Sequence, residues 1–223
     1  GQNPGACFGA AAEDNWNNLS DVVKYLQDNP DATVSCNIES GATSHLAFVA
    51  WYLYVKETYG EEVSGRIKAI VGGTTAEKLQ RLWDRNADII YGDTSAFEQY
   101  TKDGVEAQLK MTMFGSCGEV EGLEIDSMAK DGVTFDGKPF EFAKDFCMYF
   151  PKDMDANVLA EYEAAMKAVT ENPDFQADMA KLYYNALSAD EVGVDASKEF
   201  IYNKREMCTS LINQAPSLDE LTQ

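Results

Sequence analysis

Apolar residues at Leu19, Val22, Val23 and Leu26 recur at the i, i+3, i+4, i+7 spacing of an amphipathic helix, with Asn18 placed as its N-cap and Pro30 just beyond its end. The spacing predicts a helix over about 18–28. A short β-branched run at 32–36, bounded by turn formers, predicts a strand. Leu46, Val49, Ala50 and Leu53 then predict a long helix that runs out at Gly60. A second buried strand is expected over 66–71, a helix with the face Ala76, Leu79, Leu82 and Trp83, and a third strand over 87–91. Strands that alternate with helices imply right-handed βαβ crossovers and a parallel sheet.

Past Asp93, a short helix through Phe97 and Tyr100 leads to a further strand at 109–114. The rhythm breaks over 115–144, which is rich in Gly, Asp and Glu and has no clean period beyond a turn near Asp136-Gly137; it reads as irregular surface. Phe146 to Phe150 resumes as a strand ended by Pro151. Three helical segments follow, with the faces Val158/Tyr162/Val169, Phe175/Met179/Leu182 and Phe200/Ile201/Cys208/Leu211. There is no internal repeat, so the expected organisation is an α/β lobe to about residue 145 followed by an α-rich segment that must pack on something.

Composition narrows the function. With 45% hydrophobic and 25% charged residues in a chain of 223, intrinsic disorder is excluded and a sizeable core is expected. Thirty-eight acidic against 18 basic residues give a formal charge of −20, which disfavours nucleic acid as a partner. No apolar run approaches the ~18 residues of a membrane span, and Gly1 to Cys7 has no basic or apolar secretion-signal region. The cysteines Cys7, Cys36, Cys117, Cys147 and Cys208 form no C-x-x-C pair and have no histidine beside them, which argues against a zinc site or a thioredoxin-like motif. They read as small buried hydrophobes, with at least one unpaired. Glu119, Glu121, Glu124 and Asp126 do not fit a calcium loop and read as a solvated acidic face. No metal and no cofactor is expected.

Ligands of parallel sheets bind beyond the carboxyl ends of the strands, so the turns that follow the strands are the places for chemistry. Three stand out. Ser40, Gly41, Ala42, Thr43 and Ser44 open the long helix, offering backbone N–H groups, a positive helix end and two hydroxyls to a carboxylate or phosphate; helix capping is the plainer use of the same hydroxyls. Gly72, Gly73 and Thr74 form a second strand-to-helix turn, either for close backbone approach to a ligand or simply for tight turning, and match neither a P-loop nor a dinucleotide fingerprint. At the third, Asp93, Thr94 and Ser95 put a carboxylate and two hydroxyls at a strand end, for a ligand or for a helix cap. His45 is the only histidine and reads as a loop-ordering group; Trp51, Tyr52, Tyr54 and Tyr59 read as packing.

The series Leu19-Ser20-Asp21-Val22-Val23, Gly41-Ala42-Thr43-Ser44-His45-Leu46, Ile70-Val71-Gly72-Gly73, Asn86 to Ile90 and Phe146 to Pro151 resembles the substrate-binding proteins of tripartite tricarboxylate transporters, the TctC or Bug family of extracytoplasmic solute receptors. The resemblance implies a periplasmic binding protein type II-like α/β fold of two lobes joined by hinge strands, with the ligand in the cleft between them. It implies a small organic carboxylate held by backbone amides, hydroxyls and waters, membrane transporter subunits as partners and an extracytoplasmic location. Residues 1–12 would be a hinge strand and remnant of lobe 1, 13–145 lobe 2, and 146–223 a hinge strand and the C-terminal helices of lobe 1. The first lobe would be incomplete in this chain, which would be either a fragment or a chain whose missing N-terminal segment is supplied separately.

Three residues depart from the family's pattern: Ala42 replaces a hydroxyl residue, Glu39 a glycine and Ile70 a tyrosine. The first two bear on carboxylate recognition. The rival reading is an α/β enzyme acting on a small carboxylated or phosphorylated metabolite, with Ser44 or Asp93 in catalysis and His45 as base. A single histidine leaves it few acid/base groups.

Overall fold

The structure, a computed structural model, describes residues 1–222. A five-stranded sheet organises it, formed by β2 (Cys7–Ala11), β3 (Val34–Ile38), β4 (Ile67–Val71), β5 (Ile89–Gly92) and β6 (Met111–Phe114) in the order β4-β3-β5-β2-β6. Strand β3 runs parallel to β4 and to β5, as the alternating pattern predicts. The sheet is nevertheless mixed, because β2 lies antiparallel to both β5 and β6. The alternating pattern read from the sequence starts at β3, so it is silent about the direction of β2.

The connecting helices cover both faces. Helix α1 (Leu19–Asp28) begins where Asn18 accepts a bond from the Asp21 amide, and buries Leu19, Val22, Val23 and Leu26. Together with α2 (Thr43–Tyr59) it packs on one face, where Phe8 meets Trp51, Tyr91 and Phe114 at ring separations of 5.8, 5.1 and 6.3 Å. The short α3 (Glu61–Ser64) follows Gly60, whose φ of +92° breaks α2. On the other face α4 (Thr75–Trp83) and α5 (Thr94–Phe97) place Leu79, Leu82 and Phe97 against Cys7, Ile90 and Met111. Sheets covered on both faces are built from nearly continuous apolar strands, as these are.

Residues 115–144 are irregular as expected, but much of the segment is interior rather than surface. Met128, Val133, Phe140 and Phe142 join the core; backbone bonds from Cys117 to Ala6 (2.9 Å) and Gly118 to Pro4 (2.9 Å) lace the segment to residues 4–6, and one from Phe142 to Cys117 (2.9 Å) closes it on itself. Its apolar residues are isolated anchors with no repeat for a periodicity to register. Asp136 and Gly137, at φ 49° and 71°, turn the small hairpin of β7 (Thr134–Phe135) and β8 (Lys138–Pro139).

The strand expected over 146–150 does not form. The paired residues are β9 (Lys144–Asp145), antiparallel to β1 (Gln2–Asn3); the Phe146 amide adds one bond to the Gly1 carbonyl at 3.0 Å, and among the described residues no strand pairs with the run beyond, where Met148 and Tyr149 stand in solvent. Helices α6 (Ala156–Thr170), α7 (Pro173–Lys181), α8 (Val194–Gln214) and α9 (Leu218–Leu221) complete the fold, with α8 against α2. Cys7, Cys36 and Cys117 are buried as expected, whereas Cys147 is exposed and Cys208 half-buried. No helix among the described residues is long and apolar enough to cross a membrane.

Two consequences are measurable. Burial pushes the Cys7 and Cys117 thiols up to about 12 and raises that of Cys36 as well. A maleimide at pH 7 is therefore expected to label Cys147 first and the three buried thiols only after unfolding, read by mass spectrometry. Asp131, which accepts the Leu19 amide at 3.0 Å, is pushed up to about 6 from its ordinary 3.8, chiefly by burial, with Asp126 and Asp21 adding to the rise and the amide bond opposing it. The folded value lies above the unfolded one, so the native state binds more protons within that window and loses this contribution as pH rises from about 4 through about 6. Asp131→Asn, which retains an oxygen acceptor, is expected to reduce the fall in stability between pH 4.5 and 7 in urea titrations.

Candidate functional site

Because β4, β3 and β5 are adjacent and parallel, the three turns lie side by side on one edge of the sheet. Their polar groups are committed very differently. In the β4–α4 turn, Gly72 and Gly73 take φ of +94° and +103°, conformations that only glycine adopts without strain. Thr74 is consumed by a capping box: its amide and hydroxyl donate to Glu77 at 2.6 and 2.9 Å, and these bonds hold the Glu77 carboxyl below its ordinary range. The Gly72 carbonyl accepts from Asn37 at 2.8 Å and from Arg81 at 2.9 Å, so the turn is fastened from below.

At the β5–α5 turn, the Thr94 hydroxyl donates to the Gly5 carbonyl and is buried. Asp93 accepts from Asn3 Nδ2 at 2.8 Å, and Lys144 Nζ stands 3.6 Å from its other oxygen. The turn thus ties β5 to the start of the chain and to the segment around β9.

The β3–α2 turn opens the longest of the three helices and carries no side-chain cap. Ser44 Oγ accepts the Glu39 amide at 2.9 Å, His45 Nδ1 accepts the Gly41 amide at 3.3 Å, and the Ala42 amide donates to the Glu39 carbonyl at 3.2 Å. Ala42 occupies the N-cap of the 17-residue α2 and has no side chain with which to close it. Among the described residues the Thr43 and Ser44 amides and the Thr43 hydroxyl have no partner. First-turn amides combined with the helix dipole form an anion-binding end. Ser44 and His45 make no bond to each other, and burial lowers the His45 pKa.

Thr43 also lines a recess of about 310 Å³ whose other walls include Lys144, Asp145, Tyr149, Lys204 and Arg205. It is the one residue of the three turns that reaches this recess; Gly72 to Thr74 lie at the far end of the edge. Lys204 is occupied by Asp145 and the Ala143 carbonyl and lies over the Phe142 ring at 4.0 Å. Arg205 has no ion-pair partner among the described residues. Helix α8 brings Arg205 to the same recess from 162 positions beyond Thr43. Lys144, Lys204 and Arg205 carry no local motif, and only the folding of α8 onto α2 reveals them.

Beneath the edge, Lys78 of α4 is 2% exposed and donates to Glu39 Oε1 at 2.6 Å and to the Tyr91 carbonyl at 3.0 Å. Glu39, the residue that departs from the family's glycine, is the carboxylate partner of this buried ammonium and bridges the β3 and β5 ends through it.

No protein-family model matches the chain, and no curated protein matches it. Solved structures do. BugD, described as a periplasmic binding protein, superposes with a TM-score of 0.69 at 19% identity, covering 96% of this chain and 69% of its own. The fold is that of the periplasmic binding proteins. Rpa4515 of R. palustris, solved with adipate, gives 0.69 at 13% identity over 97% of this chain and 67% of that one, and a structure described as a periplasmic transporter gives 0.61 at 11%, over 96% and 65%. The 223 residues thus span about two thirds of the length of each.

Removing one partner of a buried ion pair strands the other, whereas replacing the buried member by an apolar residue of similar shape is close to neutral. Glu39 is itself half-exposed and Gln keeps an acceptor for the ammonium, so Glu39→Gln is expected to destabilise the protein by about 1 kcal/mol. Lys78→Met is expected to be neutral or stabilising, in the same urea titration.

Proposed function

We propose that this chain carries the anion-gripping lobe of an extracytoplasmic solute receptor, which captures a small carboxylate at the β3–α2 turn and presents it to a membrane transporter of the tripartite tricarboxylate type. The observation that carries the reading is the uncapped start of α2, whose Thr43 and Ser44 amides face outward at the central parallel strand of a periplasmic-binding-protein fold. A carboxylate placed there takes two amide bonds and the Thr43 hydroxyl, with Arg205 and Lys144 across the recess. Such a local set of donors binds an anion on a protein of net charge −20, because the field at the site is set by the nearest groups.

In this reading Ser40, Gly41 and Ala42 shape the grip, Gly72, Gly73 and Thr74 form the neighbouring rim, and Asp93 and Thr94 fix the hinge side. Residues 13–145 bear the grip, and 1–12 and 146–223 belong to the hinge and the opposing lobe. Binding and release are the whole mechanism, and no group is asked to make or break a bond.

Ala42→Asp puts a capping carboxylate on the very amides the ligand would use. Such caps stabilise by roughly 1 kcal/mol, so the variant is expected to be more stable and at least tenfold weaker for adipate by isothermal titration of the intact protein. Thr43→Pro removes one outward amide at the first helical position, where proline is tolerated and where the extended Ala42 (φ −93°, ψ 176°) suits a following proline. It is expected to weaken adipate binding with little change in stability. Adipate affinity unchanged in both variants would remove the α2 terminus from the site.

A further inference from the structure

Glu39 follows β3, and its backbone is tied into the turn that opens α2: its amide donates to Ser44 Oγ at 2.9 Å and its carbonyl accepts the Ala42 amide at 3.2 Å. Its carboxylate therefore belongs to the same turn as the Thr43 and Ser44 amides. One oxygen, Oε1, accepts from Lys78 Nζ at 2.6 Å. The other, Oε2, has no hydrogen-bond or ion-pair partner among the described residues, and the side chain is 49% exposed.

Lys78 holds this carboxylate from beneath. The buried ammonium also donates to the Tyr91 carbonyl at 3.0 Å, and Glu39 and Tyr91 stand two residues and one residue past the β3–β5 pair Asn37–Ile90. The carboxylate is thereby pinned at the junction of two strand ends, on the edge that carries the three turns. The other carboxylates of this edge are placed differently: Asp93 is shared between Asn3 and Lys144, and Glu77 is folded back onto Thr74 in its capping box. An ion pair with a buried member adds little net stability over an apolar replacement. What the pair does fix is the orientation of Glu39, with one oxygen spent and one presented.

A fixed carboxylate beside an anion-binding helix end repels a plain carboxylate and attracts a ligand that brings its own positive charge, so one group supplies both halves of a discrimination. We infer that Glu39 sets the ligand class: an amino carboxylate, whose carboxylate takes the Thr43 and Ser44 amides and whose ammonium donates to Glu39 Oε2. Such a bond is charge-assisted and belongs to the strong class. In an α-amino acid the two charged groups sit on the same carbon, so a single turn serves both. The inference rests on the proposed capture of a carboxylate at the start of α2 for the first group, and on the Glu39–Lys78 pair for the second.

Isothermal titration of the intact protein with adipate, 2-hydroxyadipate and 2-aminoadipate, which differ in one substituent, is the test. 2-Aminoadipate is expected to bind at least about tenfold more tightly than either of the others. In Glu39→Gln, whose amide oxygen keeps the Lys78 bond, adipate is expected to bind about threefold more tightly as the like charge is removed, while 2-aminoadipate weakens and its advantage disappears. A merely structural role for Glu39 would weaken adipate and 2-aminoadipate alike, and that result, or an advantage that persists in Glu39→Gln, would overturn the inference. 2-Hydroxyadipate as tight as 2-aminoadipate would also overturn it, since an uncharged donor would then suffice. Adipate as tight as 2-aminoadipate in the unaltered protein would overturn it and leave carboxylate capture standing, a comparison that needs no variant. Absence of binding by all three would overturn both.

Discussion

The pairing of β3 with β4 on one side and β5 on the other is the constraint from which the rest follows. The registers Cys36–Ala69 and Cys36–Ile89 bring three strand ends to one edge, and because all three strands run the same way, each delivers a strand-to-helix turn there. The sheet edge by itself would be an ordinary packing boundary. It becomes a candidate site because the three turns are finished differently: one closed by a capping box, one tied to residues 3–5, and one that opens the 17-residue α2 without a side-chain cap.

Charge is managed in layers at this edge. Lys78 is buried beneath it and neutralised by Glu39, so its ammonium is matched within the protein. Asp93 is shared between Asn3 and Lys144. What remains toward the recess is the positive end of α2 and the guanidinium of Arg205, while the acidic surplus is distributed over the surface. Net charge governs long-range approach and solubility, whereas capture depends on groups within a few ångströms, and salt screening widens that separation.

Much of this was legible in the sequence where an element repeats. Leu19, Val22, Val23 and Leu26 give α1 away by spacing, because buried faces impose a period, and Gly60 marks the end of α2. The three turns were legible because glycines and hydroxyls cluster at strand ends, and Ala42 stood out as a departure. What periodicity could not carry was β2's antiparallel direction, the core anchors Met128, Val133, Phe140 and Phe142, and the failure of 146–150 to pair. Each depends on a partner distant in the chain. Nor could it show which donors are spent: Thr74 and Thr94 look as available as Thr43 until their acceptors, Glu77 and the Gly5 carbonyl, are seen. Lys144 and Arg205 are ordinary surface cations until α8 docks on α2.

The central claim is that the amides opening α2 grip an anion, and an amide-resolved measurement tests it most directly. In a 15N NMR titration of the intact protein with adipate, the account predicts that the Thr43 and Ser44 amide signals move downfield together, with one saturating isotherm. Saturable binding that shifts signals elsewhere and leaves Thr43 and Ser44 in place would contradict it.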